Sequence, residues 1–249
     1  MPKISVRRVT CQYPERIIPK GTFGGPLTSH LKRYEFAKQF CAGKLVLDIA
    51  CGVGYGSVYL AQSAKKVFGG YISEEAILYA KKHYQKENIQ FMVMDAACLE
   101  FPDKYFDVIC SFETLEHLDN PQKYLTKVKR LLNEGGIFII STPQVKRTRI
   151  KPKNPYHKIE FSKDDLLNLL KGYFTNVEIF GQMRIQSTAH YYLQKIDVFH
   201  LRAFLSSFAR RRICHITATR SWDETGLEDF VISKEKIGRA QELIGVCRK

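Results

Sequence analysis

Residues 46 to 56 read VLDIACGVGYG, an apolar run through Asp48 that turns at Gly52, Gly54 and Gly56 into a helical pattern. Glycines at this spacing serve a backbone that must reverse sharply and lie close to a neighbour where a Cβ would intrude. Strand, tight turn and helix in that order form the first half of a βαβ unit, and such units build parallel sheets. The later chain continues the alternation. KLVLDI (44–49) is a buried strand, GSVYLAQSA (56–64) a helix and KVFGGYI (66–72) a second strand. Ser73 then caps EEAILYAKKHYQK, whose acids fall in the first turn and lysines later. IQFMVMD (89–95), FDVICSF (106–112) and GIFIIST (136–142) read as strands three to five. A helix capped by Ser162 leads to NVEIFG as strand six, and EDFVIS (228–233) reads as the last strand. The expected fold is α/β, a Rossmann-like doubly wound sheet of seven strands, mostly parallel with an antiparallel last strand.

With 249 residues, 45% hydrophobic and 26% charged, the chain has the composition of an ordinary globular protein. It contains no apolar run of ~18 residues, and its first residues lack the apolar core of a signal peptide. A cytoplasmic protein is expected. The seven cysteines form no CxxC pair and are odd in number, which argues against a zinc knuckle and against a secreted disulfide framework.

The net charge of +14 is unevenly placed. Lys146, Arg147, Arg149, Lys151, Lys153 and Lys158 stand in a stretch without an acid, and Arg184, Lys195, Arg202, Arg210, Arg211, Arg212 and Arg220 face only Asp197. These stretches leave the carboxyl ends of strands five and six, the edge at which open parallel sheets bind ligands. Basic insertions at the active-site edge suit an anionic substrate, and they also suit the phosphate backbone of RNA.

The segments VLDIACGVGYG, MDAACLEFPDKYFDVI, SFETLEHL and LLNEGGIFIISTP stand in an order that resembles the class I S-adenosylmethionine-dependent methyltransferases, over roughly residues 28 to 180. HLKRYEFA and NPYHKIEFSKDDLLNLL are similar to a subgroup acting on small molecules or cell-surface sugars. The resemblance implies an N-terminal helical lid or substrate segment (1–43) and a methyltransferase domain (44–249) with insertions at about 144–160 and 182–224. It implies S-adenosyl-L-methionine as cofactor and S-adenosyl-L-homocysteine as product. Asp48 and the backbone at Ala50, Gly52 and Gly54 would hold the methionine part, and Asp95 and Ala96 the adenine. Phe112 and Glu113 would line the sulfonium side. Tyr71 and Ile72 stand at the ribose position. His30, Arg33 and Tyr34, at i, i+3 and i+4 of one helix, would form a lid, Tyr34 over the cofactor and the other two toward substrate.

Tyr71 departs from the family pattern, which has an acid at the end of the second strand. A carboxylate accepts two hydrogen bonds from a ribose diol, whereas a phenol is neutral at pH 7 and serves one hydroxyl. Glu74 and Glu75 fall in the following helical turn and do not replace it. A substituted ribose contact and a modified sulfonium cofactor both accommodate the change.

Methyl transfer requires alignment and, for a hydroxyl or ammonium acceptor, removal of a proton. His117, in the loop after strand four, is the first candidate for the base, with loop orientation as its competing role. His157, Tyr156 and Glu160, after strand five, would reach the same edge, and Glu116 reads as structural. The other histidines lack ligand spacing, and no metal is expected. The apolar and arginine-rich segment 196–212 reads as a helix covering the sheet edge, with peripheral membrane contact as the alternative. The expected function is methyl transfer to oxygen or nitrogen of an anionic small molecule, such as a nucleotide-linked or phosphorylated sugar. RNA methylation is the alternative, although SFET stands where amino-adenine methylases carry a different motif. The oligomeric state is not readable from sequence.

Overall fold

Alternate residues of the central strands face helices on opposite sides of one sheet, so those strands are apolar almost throughout. The computed structural model describes residues 24–186 and 220–249. The segment 196–212, most of the second basic insertion and residues 1–23 of the expected lid lie outside the described residues. In chain order the elements are α1 (Gly25–Lys38), β1 (Leu45–Ile49), α2 (Tyr55–Leu60), β2 (Lys66–Tyr71), α3 (Glu74–His83), β3 (Ile89–Val93) and β4 (Phe106–Phe112). They continue with α4 (Pro121–Leu131), β5 (Leu132–Pro143), β6 (Arg149–Ile150), β7 (Ile159–Glu160), α5 (Lys163–Lys171), β8 (Asn176–Arg184), β9 (Phe230–Ser233) and β10 (Glu242–Arg248).

The main sheet runs β3-β2-β1-β4-β5-β10-β8-β9, and β6 and β7 form a separate antiparallel ribbon. β1 to β5 are parallel where they pair, whereas β10 is antiparallel to both β5 and β8. This is the doubly wound α/β fold expected, with eight strands in the main sheet instead of seven. EDFVIS is an antiparallel edge strand on β8, and the additional strand is ELIGVCR, buried between β5 and β8.

One face packs Leu47, Ile49, Ile109, Phe138 and Ile140 against Leu125 and Val128 of α4 and Leu166 and Leu170 of α5. The other packs Val46, Val67, Val108 and Ile139 against Tyr34 and Ala37 of α1 and Leu60 of α2. Each large aliphatic side chain so buried contributes roughly 1.5–3 kcal/mol. Ser73 and Ser162 cap α3 and α5 as their sequences predict, accepting from Ala76 and Asp165 at 3.3 Å each.

α1 is tied to the far half of the sheet. Gln182 on β8, fully buried, donates through Nε2 to both the carbonyl and the hydroxyl of Ser29 at 2.8 Å. Strand order reverses about β1 and β4, the switch point at which a crevice opens in folds of this topology.

Candidate active site

The carboxyl ends of β1 to β4, the start of α1 and the β6–β7 ribbon enclose a cleft of about 760 Å³. That size is ample for a cofactor and a small second molecule. Ala50, Cys51, Gly52 and Tyr55 reach it from the turn after β1, and Tyr71 and Ile72 from the end of β2. Asp95 and Ala96 follow β3, Phe112 and Glu113 end β4, and His30 and Tyr34 come from α1. His117, Tyr156 and His157 also line it, together with Glu116, which reads as structural in the sequence.

Four expected site residues do not line the cleft: Asp48, Gly54, Arg33 and Glu160. Asp48 lies beneath the turn with no exposed surface, accepting from Tyr34 Oη at 3.3 Å and from Ser57 Oγ at 2.6 Å. Burial outweighs these hydrogen bonds and pushes its carboxyl up to about 7. It braces the turn from below. Gly54 faces the protein interior, since a Cβ there would stand 2.6 Å from the Phe91 ring; its φ of +87° adds a second reason for glycine. A Cβ on Gly52 would meet nothing within 4 Å, so this part of the turn borders open space.

Arg33 is 2% exposed because the helix turns it onto the sheet. Its guanidinium lies 3.9 Å from Glu113, 3.7 Å from Glu242 on β10 and 3.4 Å from Gln182 Oε1. Glu242 is pushed up to about 7 by burial, which Arg33 opposes and Glu113 reinforces. Glu113 has φ +49° and accepts from Ser141 Oγ at 2.6 Å, so its carboxylate is fixed from behind. Glu160 is buried behind His157 and accepts from its Nδ1 at 3.0 Å.

Tyr34 is packed edge-on against Phe112, with ring centroids 4.9 Å apart, and sits so close to Gly56 that a Cβ there would fall 1.9 Å from its ring. The third glycine of the motif thereby admits α1 to the cleft. His30 is half-buried, and burial with the nearby Arg33 holds its pKa well below the ordinary histidine value, leaving it neutral.

His117 and His157 are forty residues apart in sequence, yet their rings meet edge-to-face with centroids at 5.0 Å. The ribbon brings them together: Lys158 N donates to the Glu116 carbonyl at 2.7 Å, and His117 Nδ1 donates to the Tyr156 carbonyl at 2.9 Å. Glu116 is fully buried between them and α1, and neither carboxylate oxygen has a hydrogen-bond partner. Burial and the neighbouring Glu113 push its carboxyl well above the ordinary range; the nearby Thr142 hydroxyl offsets part of this without a hydrogen bond of ordinary geometry.

The six basic residues between 144 and 158 are all exposed, and none of them lines the cleft. They flank its mouth on the ribbon. The lining acids are Asp95, Glu113, Glu116 and Asp119, against Lys123 as the lysine among them.

A family model described as a methyltransferase domain matches residues 47–140, from the first strand through the fifth. Over this core the chain is similar to the class I S-adenosylmethionine-dependent methyltransferases. It is 29% identical over 199 residues to a probable S-adenosylmethionine-dependent methyltransferase of Mycolicibacterium smegmatis, covering 79% of this chain and 74% of that one. It is 36% identical over 102 residues to the ubiquinone biosynthesis O-methyltransferase of Coxiella burnetii, covering 40% and 44% of the two chains. The crystal structure of an S-adenosylmethionine-dependent methyltransferase from Mesorhizobium loti superposes with a TM-score of 0.55 at 16% identity, covering 87% of this chain and 98% of that one.

The cleft suits a cationic cofactor. S-adenosylmethionine carries an ammonium and a sulfonium, and the lining acids outnumber the lining lysine. The open flank of Gly52 gives a ligand direct access to backbone. Asp95 presents a carboxylate at the end of β3, although its Oδ1 already accepts from Ala97 N at 2.8 Å. Tyr71, at the end of β2, brings a phenol to the cleft where the sequence resemblance leads one to expect a carboxylate. Among the described residues no helix is long and apolar enough to cross a membrane.

Proposed function

We propose that this protein is a methyltransferase that moves a methyl group onto an oxygen or nitrogen of a small acceptor bearing an anionic group, such as a phosphorylated or nucleotide-linked sugar. The observation that carries the reading is the His117–His157 pair in the cleft, beside a ribbon that carries exposed basic side chains. In this reading the backbone at Ala50 and Gly52 receives the methionine part of the cofactor. Asp95 and Ala96 take the adenine, Tyr71 and Ile72 the ribose, and Phe112 and Glu113 flank the sulfur. Asp48, Gly54 and Arg33 act from behind as positioning residues.

The cofactor supplies a methyl group already activated on positive sulfur, so the protein's share of the work is alignment and proton removal. His117 donates through Nδ1 to a backbone carbonyl, which makes Nε2 the nitrogen that bears the lone pair. A group so oriented is fit to receive the acceptor proton. His30 and Tyr156 border the space in which the acceptor sits. The lysines and arginines of the ribbon draw an anionic acceptor to the mouth without entering it. The name of the Coxiella relative, an O-methyltransferase, supports an oxygen acceptor of small size.

The test is an acceptor screen with S-adenosylmethionine, read as S-adenosylhomocysteine released. Turnover of a phosphorylated or nucleotide-linked acceptor, with a KM that rises with salt, supports the reading. Turnover of bulk RNA in preference to every small acceptor overturns it.

A further inference from the structure

Among the described residues, Glu116, His117 and His157 each offer a ligand atom within 4.8 Å of the other two. We propose that these three side chains form a site for a first-row divalent cation of the zinc type at the acceptor end of the cleft. The sequence places both histidines at one edge but shows no ligand spacing, since the two rings are brought together only by the ribbon.

Three observations carry the site. Both histidines are held by their Nδ1 atoms. His117 donates to the Tyr156 carbonyl at 2.9 Å and His157 to Glu160 at 3.0 Å, so each ring directs the lone pair of Nε2 away from these anchors. A metal-bound histidine is oriented in this way, its other nitrogen donating to a carbonyl or carboxylate. The second observation is Glu116, which has no exposed surface and no hydrogen-bond partner for either carboxylate oxygen, and lies 3.9 Å from His117 Nε2. A buried carboxyl group without a hydrogen-bond partner, beside a lone-pair-bearing nitrogen, is unfavourable unless a proton or a metal ion lies between them. The third is access: all three residues line the cleft, so a cation there would keep open positions toward a ligand.

The donor set selects the metal. Two imidazoles and one carboxylate suit zinc and its first-row neighbours better than magnesium or calcium, which prefer all-oxygen sets. Three protein ligands with free positions is the pattern of catalytic zinc sites. Donors at ~2.1 Å from one tetrahedral ion stand roughly 3.4 Å apart, so the side chains must draw in by about 1 Å. The Asn154 amide, 3.0 Å from His157 Nε2, is a competing donor and must turn aside.

The binding site stands on this geometry alone; its part in the reaction rests on the proposed function. There, a cation facing the acceptor would polarise an oxygen nucleophile and ease loss of its proton. His117 and His157 would then act through the ion instead of as bases.

The test uses the full chain after chelator treatment and dialysis, titrated calorimetrically with zinc chloride. Cobalt chloride follows as a spectroscopic probe. One equivalent of zinc per chain is expected, with affinity at least tenfold weaker in His117→Ala, His157→Ala and Glu116→Gln. Bound cobalt should give visible absorption that each variant loses. The unfolding transition of each variant confirms that it is folded, and His117→Ala, which removes the most exposed of the three side chains, is the substitution least disruptive to the core. Zinc uptake well below one equivalent, or equal uptake by the parent and all three variants, overturns the site. Titration of the same protein with S-adenosylhomocysteine separates the two readings. Cofactor product bound without zinc removes the metal site alone, and zinc bound without cofactor product removes the function alone.

Discussion

Tyr34 donates its phenolic hydrogen to Asp48 across 3.3 Å, joining α1 to the first strand beneath the turn that borders the cleft. Ser57 of α2 donates to the second carboxylate oxygen at 2.6 Å, so a single buried acid fixes three elements. Its carboxyl stands at about 7 against an ordinary value of 3.8. A carboxyl raised in the folded state stabilises the fold fully below about pH 4, and that contribution is lost as pH rises through about 7. Glu242, raised from 4.5 to about 7, has the same sign. Tm should therefore fall between about pH 5 and about pH 8. Asp48→Asn should flatten the profile, and a wild-type Tm that rises over this range would contradict the assignment.

Arg33 should be costly to remove. Its guanidinium lies 3.7 Å from Glu242 and 3.9 Å from Glu113, and the arginine is 2% exposed. Truncation leaves two partly buried carboxyl groups without their counter-charge, a loss of at most about 3–5 kcal/mol. Arg33→Ala should lower the urea midpoint accordingly. A loss below ~1 kcal/mol, the size of a surface ion pair, would mean the arginine is screened by solvent.

Tyr71 is the position at which cofactor affinity should be open to improvement. An aspartate there can accept from both ribose hydroxyls, and charge-assisted bonds of ~1.5–3 kcal/mol correspond to about tenfold or more in Kd. Calorimetry should find tighter S-adenosylmethionine binding by Tyr71→Asp than by the parent. Unchanged or weaker binding by the variant would indicate that the phenol is part of a differently shaped ribose site.

Ala50 has φ +60°, a left-handed conformation that costs a residue with a Cβ roughly 1–2 kcal/mol. Glycine would remove that strain and restore some chain entropy to the unfolded state. Ala50→Gly should gain about 0.5–1 kcal/mol net. Thermal unfolding at a single pH is enough to decide the sign.

The half of the fold that reads clearly in sequence is the half built from βαβ units. There, apolar runs, serine caps and glycine turns repeat a local rule, and β1 to β5 follow it. β10 was legible in principle: LIGVC is an almost unbroken apolar run, as a strand covered on both faces requires. EDFVIS competes with it for the place of a last strand, and sequence order does not reveal which of two strands enters the middle of a sheet. For Arg33 and Asp48 motif spacing marks the residue but suggests direct ligand contact, because spacing does not report the depth at which a side chain lies. The sequence brings His117 and His157 to one edge of the sheet but not into contact with each other and with Glu116, since that contact depends on a short two-stranded ribbon folding back over the loop after β4.

The position of β10 also governs the order in which this molecule can be assembled. β5 and β8 never pair with each other; the strand between them is the last described element in the chain. Until it inserts, the parallel half-sheet ends in an open edge at β5 and the β8–β9 pair has no partner to join. Long-range pairing of this kind slows folding and leaves edges open to wrong partners in the meantime. The two halves of the sheet thus become one cooperative unit only at the final pairing, and a nascent chain on the ribosome must hold an unfinished β5 edge until that strand emerges.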